Sequence, residues 1–174
     1  PLYDSGGAWL PDGSIVWFSA SGPPATDDDY GNSDLWQMGA DGSGKRRVTN
    51  NGSINLFPAW SPDGKTLVYT SFKAGLSELF LLYRGSKPGA RLINTKDEKY
   101  RGVWHPTNGR IAAVVARQGN TDIYSVSGNG SGPVRLTESR SIETSPTFSP
   151  DGRRMAFVSD RSGAPQVWIK DLES

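Results

Sequence analysis

The chain has 174 residues, enough for one domain or one domain with a short appendage. Nineteen Lys and Arg against eighteen Asp and Glu leave a formal charge of +1, which offers nucleic acid no basic surface; zero Cys and a single His exclude disulfides, thiol chemistry and Cys-rich or His-rich metal sites. No apolar run reaches the roughly 20 residues a membrane helix needs, so direct membrane insertion is not expected, and 21 Gly and 12 Pro spread along the chain predict many turns and an all-β fold.

The predicted elements recur. The first unit, about residues 1–50, opens on Trp9-Leu10-Pro11-Asp12-Gly13. An aromatic here precedes a tight turn, in which Pro presets φ and Gly accepts the positive φ that other residues resist. A polar-aliphatic-aromatic triplet follows at Asp34-Leu35-Trp36, then a Gly-rich hairpin at Ala40 to Gly44, then Arg47-Val48-Thr49. The second unit, about 51–94, repeats the series as Trp60-Ser61-Pro62-Asp63-Gly64, Glu78-Leu79-Phe80 and Arg91-Leu92-Ile93. Between these columns lie strand-sized runs such as Thr66 to Ser71 and Glu78 to Tyr83. The third unit, about 95–138, gives Trp104-His105-Pro106-Thr107-Asn108-Gly109, Asp122-Ile123-Tyr124 and Arg135-Leu136-Thr137. The fourth, about 139–174, gives Phe148-Ser149-Pro150-Asp151-Gly152 and Gln166-Val167-Trp168.

All three columns step by 44 residues, except that Pro11 to Pro62 is 51, which places seven extra residues in Ser21 to Ser33. Four antiparallel strands per unit at this period predict β-propeller blades. A twisted blade has two apolar faces, and stacking neighbours around an axis buries them. Trp9, Trp60, Trp104 and Phe148 are therefore expected as one set of contacts between blades, and Trp36, Phe80, Tyr124 and Trp168 as another. The count predicts four consecutive four-stranded blades with the last outer strand missing. The expectation is part of a larger ring with missing flanking blades, or an arc completed by another chain, possible homo-oligomerisation included.

Pro58 to Lys65, Ser145 to Gly152 and Phe157-Val158-Ser159-Asp160-Arg161-Ser162-Gly163 resemble the WD40-like PD40 repeats of TolB-type β-propellers. That resemblance implies a noncatalytic protein-binding scaffold of a bacterial periplasmic cell-envelope system, with a peptidoglycan-associated lipoprotein as its protein partner. Similar repeats also serve as substrate-gating propellers of serine peptidases, of the prolyl oligopeptidase or Tricorn type, and as small-molecule-binding sensor propellers.

Loops that enter the first strand of each blade sit at one mouth of a propeller channel. Register aligns Asp4, Asn55, Lys99 and Glu143 there, then Ser5, Leu56, Tyr100 and Thr144, then Gly6, Phe57, Arg101 and Ser145. Asp4, Asn55, Lys99, Tyr100, Arg101, Glu143 and Thr144 are the expected partner-binding rim, because Tyr and Arg are residue types enriched in binding hot spots; the resemblance implies that the lipoprotein docks at this face.

Other motifs read as structure. Gly39 to Arg46 nearly spells a phosphate loop, but Arg46 replaces the magnesium-binding hydroxyl and the segment is a hairpin rather than the start of a helix. His105 occupies a turn position and is expected at the surface. With no second His and no Gly-x-Ser-x-Gly, no hydrolase triad can be assembled, so the chain is not expected to be an enzyme. The inserted loop gathers hard oxygen donors at Asp27, Asp28, Asp29 and Asn32, a candidate Ca²⁺ site whose spacing matches no EF-hand; a solvated acidic loop is the alternative. No other cofactor is expected.

Overall fold

Pro-Asp-Gly turns start the hairpins by a shared device. In the second unit Gly64 N–H donates to Ser61 O (2.8 Å), and Ser61 N–H donates to Thr66 O (2.7 Å). The Asp63 carboxylate accepts from Ser61 Oγ (2.6 Å) and Lys65 N (3.1 Å). Asp151 repeats this with Ser149 and Arg153, and Asp12 does so with Ser14. A computed structural model of the protein describes residues 4–10, 12–20, 33–85, 89, 91–93 and 95–173. The candidate Ca²⁺ residues Asp27, Asp28, Asp29 and Asn32 lie outside the described residues.

The described elements are all strands, in four antiparallel sheets. The first contains β1 (Asp4–Trp9), β2 (Ile15–Ala20), β3 (Ser33–Met38) and β4 (Arg46–Arg47) in sequential order. The second contains β5 (Asn55–Trp60), β6 (Thr66–Ser71) and β7 (Glu78–Tyr83). The third contains β8 (Glu98–Trp104), β9 (Arg110–Arg117), β10 (Asn120–Ser127) and β11 (Val134–Arg135). The fourth contains β12 (Glu143–Phe148), β13 (Arg154–Ser159) and β14 (Gln166–Asp171).

The fourth sheet has three strands, as expected. In the second sheet the described part of the outer segment includes Arg91, bridged to Phe80, with the Gly89 and Leu92 amides donating to Leu81 O and Leu79 O (both 2.8 Å). In the first and third sheets, Thr49 and Thr137 accept the Leu35 and Ile123 amides on Oγ1, both at 2.9 Å, and so clamp the outer segment to its neighbour.

Three core clusters fill the three seams between consecutive sheets. Leu10 and Leu35 of the first sheet meet Leu67, Tyr69, Phe80 and Leu82 of the second, with Trp60 packed against them. Val68, Leu79 and Leu81 meet Ile111, Ala113 and Val126, with Trp104 alongside. Ala112 and Ile123 meet Met155 and Phe157, with Phe148 and Trp168 alongside. At each seam the later blade thus supplies aromatics (Trp60 and Phe80, Trp104, Phe148 and Trp168) and the earlier blade its Leu or Ile column, burying apolar area between them, whereas Trp36 and Tyr124 of the expected second set belong to none of the three clusters. Trp9 is 65% exposed, its face of the first sheet packing against none of the other three described sheets. Among the described residues the first and fourth sheets do not touch, so the four blades form an open arc.

Candidate channel site

The innermost strands β1, β5, β8 and β12 line the concave side of the arc. Each is interrupted by a bulge at the same point, between Ser5 and Ala8, Leu56 and Ala59, Tyr100 and Val103, and Thr144 and Thr147. Each bulge holds one residue in the left-handed region: Gly6 (φ 63°), Phe57 (52°), Arg101 (53°) and Ser145 (53°). For a non-glycine residue this conformation costs about 1–3 kcal/mol. The bend turns these residues into a shared cavity of about 240 Å³, whose lining also includes Pro58, Gly102 and Pro146. Gly102 is fixed by packing, since a Cβ there would lie 2.9 Å from Val68 Cγ2.

Arg101 spans this cavity. Its guanidinium lies 4.4 Å from the centre of the Phe57 ring, and NH1 donates to Ser145 Oγ at 2.8 Å. Its backbone amide donates to Thr70 Oγ1 (3.1 Å), tying the bulge to the second sheet. Residues of three blades therefore meet around one side chain. Tyr100 next to it is half-buried; burial and the Glu98 carboxylate push its phenol up, while Arg101 pulls it the other way.

Residues expected along the rim divide into two groups. Tyr100, Arg101 and Thr144 are half-buried at the bulges. Asn55, Lys99 and Glu143 are instead buried, which corrects the expectation that they would be exposed. Asn55 and Glu143 begin β5 and β12 and Lys99 is the second residue of β8, and all three face the preceding blade, where they cross the seam. Asn55 Nδ2 donates to Ser33 O (2.9 Å), and Glu143 N–H donates to Thr121 Oγ1 (2.9 Å). Lys99, 1% exposed, donates to Glu78 Oε2 at 2.9 Å and to the Thr95 and Asp97 carbonyls. Asp4 begins β1; its side chain lies outside the described residues.

The acids of the second column take part in the same seams. Asp34, Glu78 and Asp122 pair with Arg47, Arg91 and Arg135 of their own outer segments. Asp34 gains the Thr49 hydroxyl at 3.0 Å, and Glu78 gains Lys99. The third seam differs: Glu143 stands where Lys99 stands in the second, paired with Arg161, and one oxygen each of Asp122 and Glu143 is buried without a hydrogen-bond partner. The spacing of 21 residues from Glu78 to Lys99 recurs from Asp34 to Asn55 and from Asp122 to Glu143, but only the first of these pairs is joined by a hydrogen bond or ion pair, as Asn55 bonds Ser33 and Glu143 bonds Thr121 instead.

His105 is also buried, correcting its expected place at the surface. Its Nε2 bonds Gly152 O across the third seam (3.0 Å), its Nδ1 accepts from Thr107 N (3.3 Å), and its ring packs 4.7 Å from that of Phe148. Gly152 is the only residue type that fits there, because φ is +74° and a Cβ would meet the imidazole at 2.3 Å. The imidazole is committed to backbone groups and packing. Gly39 to Arg46 forms the hairpin into β4, as the sequence predicts.

Four antiparallel sheets stacked side by side around a channel define a β-propeller arc. The sequence pattern of the TolB beta propeller domain (PD40) matches residues 38–174, and the chain belongs to that family. It is 36% identical over 149 residues to a Protein TolB homolog of Chlorobium luteolum, covering 80% of this chain and 31% of that protein. It is also 36% identical over 135 residues to the Tol-Pal system protein TolB of Bordetella pertussis, covering 77% of this chain and 31% of that protein. The chain thus spans about a third of the length of these curated relatives. Among solved structures it is similar to TolB from Acinetobacter baumannii, with TM-score 0.79 and 24% identity over 95% of this chain and 40% of that one. A puromycin hydrolase shares the fold, with TM-score 0.75 and 20% identity over 97% of this chain and 27% of that one.

Proposed function

We propose that this chain is part of a noncatalytic protein-binding scaffold of the Tol-Pal cell-envelope type, acting in the bacterial periplasm. Its partner is a peptidoglycan-associated lipoprotein, engaged at the channel face through Tyr100, Arg101 and Thr144. Asn55, Lys99 and Glu143 contribute from beneath, by holding the blades that present that face. The observation that carries this reading is membership in the TolB propeller family together with an arginine and a tyrosine displayed at one channel bulge. Residues of these types anchor interfaces when they sit at the centre of a patch. The noncatalytic part is supported by the single imidazole, whose nitrogens contact Gly152 O and the Thr107 backbone and hydroxyl rather than a nucleophile and an orienting acid.

Calorimetric titration of the protein with the periplasmic domain of a peptidoglycan-associated lipoprotein tests the proposal. Saturable binding that weakens at least tenfold in the Tyr100→Ala, Arg101→Ala double variant is the expected result. Absence of binding, or affinity unchanged in the double variant, would overturn it.

A further inference from the structure

We propose that the channel cavity is a carboxylate-binding site, in which Arg101 holds an aspartate or glutamate side chain, or a chain terminus, of the bound peptide partner; this rests on the protein-binding reading above and adds the chemistry of recognition. The first argument is the pattern of residue types. Positions with packing roles repeat their chemistry through the units, as Trp60, Trp104 and Phe148 do, or Leu35, Leu79 and Ile123. The bulge position repeats its left-handed backbone in all four blades but holds Gly6, Phe57, Arg101 and Ser145. Shared geometry with unshared chemistry is what a site needs when each blade contributes a different group to one ligand. Three of these four residues tolerate backbone strain that glycine would relieve, and such strain persists where the surrounding structure enforces it and clusters at ligand sites.

Charge provides the second argument. Five seam cations rest on carboxylates, Arg47 on Asp34, Arg91 and Lys99 on Glu78, Arg135 on Asp122 and Arg161 on Glu143, while Arg110 is held by three oxygens of Ser125 and Gly132. Arg101 is half-buried, and among the described residues no carboxylate lies within ion-pair distance of it. Its plane is instead set by the Phe57 ring on one side and the Ser145 hydroxyl on the other. A guanidinium held in this way has lost little freedom still to be paid for on binding, and its fork matches a carboxylate.

Size and lining select the ligand. Small-molecule pockets usually fall at about 300–1,000 Å³; a cavity of about 240 Å³ suits one side chain or a chain end. Apart from Arg101 and Ser145 the lining is Gly, Phe, Pro, Ala and Val, so one negative charge on an otherwise apolar peptide is matched, and a polyanion is not.

The test uses the whole protein labelled with ¹⁵N and two blocked tripeptides, acetyl-Gly-Asp-Gly-amide and acetyl-Gly-Asn-Gly-amide, with acetyl-Gly-Gly carboxylate as a probe of chain ends. Shifts of the Arg101 side-chain Nε–H signal are followed by NMR. The Asp peptide, the chain-end probe or both are expected to bind at least tenfold tighter than the Asn peptide, with the preference shrinking as salt rises. Which acidic probe wins identifies the source of the carboxylate. Arg101→Gly keeps a residue suited to the left-handed backbone, so it should fold, with an unchanged circular dichroism spectrum, and lose the preference. Arg101→Lys should retain part of it. Equal binding of acidic and neutral peptides, no movement of the Arg101 signal, or a preference that survives Arg101→Gly would overturn the proposal. Failure of the acidic probes alongside intact lipoprotein binding removes this inference alone; loss of lipoprotein binding with the acidic preference retained removes the partner assignment alone.

Discussion

Interior seams and the outer faces of the arc are built from the same sequence columns with opposite outcomes. Leu35, Leu79 and Ile123 are fully buried, whereas Val167, one step further along the same column, is 72% exposed, and Ile169 beside it is 68% exposed. At the other end Trp60 and Trp104 are half-buried against seam clusters, while Trp9 stands exposed. The residue type is set by the repeat and its energetic role by the neighbour. A blade side chain therefore contributes to stability only where another blade covers it, as expected when stability resides in nearest-neighbour interfaces.

The sharpest break in that comparison is Lys99→Ala. It leaves the Glu78 carboxylate buried, with its Lys99 contact gone and only the longer Arg91 pair at 3.5 Å. Removing one partner of a buried pair costs about 3–5 kcal/mol, and urea unfolding should register a loss of that size. Lys65→Ala, which removes a surface pair with Asp63 at 3.9 Å, should stay within about 0.5 kcal/mol.

A smaller effect comes from acid. Hydrogen bonds from Ser14 hold the Asp12 carboxyl at about 2, well below the usual 3.8, with Arg84 of the second blade adding to the shift. Asp63 and Asp151 are lowered chiefly by the hydroxyls of Ser61 and Ser149. A carboxyl whose folded value is depressed stabilises the fold above its unfolded value and loses that contribution as pH falls through the folded one. Melting temperature should therefore fall as pH drops from the usual 3.8 toward about 2. Asp12→Asn should flatten this slope, and since Asp12 bonds Arg84 across the first seam, the change should be seen in amide exchange on both blades. An unchanged slope would detach the turn from the seam.

Much of the architecture was legible because turns and packing recur with a period of 44: the Pro-Asp-Gly hairpins, the alternating strands and the seam-facing aromatics Trp60, Trp104 and Phe148. What the sequence hid were features that depend on a neighbour. Lys99 and Glu143 read as exposed because charges usually are; only the acid 21 residues upstream, or the Arg161 that caps Glu143, hints at burial. His105 read as a surface turn residue because its partner, the Gly152 carbonyl, lies one blade away. The bulges carried no common residue type, so alignment placed Gly6, Phe57, Arg101 and Ser145 together without revealing their left-handed backbone.

The most direct measurement is a matched pair of urea denaturation curves for Leu79→Ala and Val167→Ala, positions two units apart on one column. Truncating a buried Leu costs about 2–5 kcal/mol, while a surface change usually stays within about 0.5 kcal/mol. A large loss for Leu79→Ala beside near-neutral Val167→Ala is the predicted result. Equal losses at both positions would mean that Val167 is covered or that Leu79 is not, and would contradict an arc of blades held together at three seams.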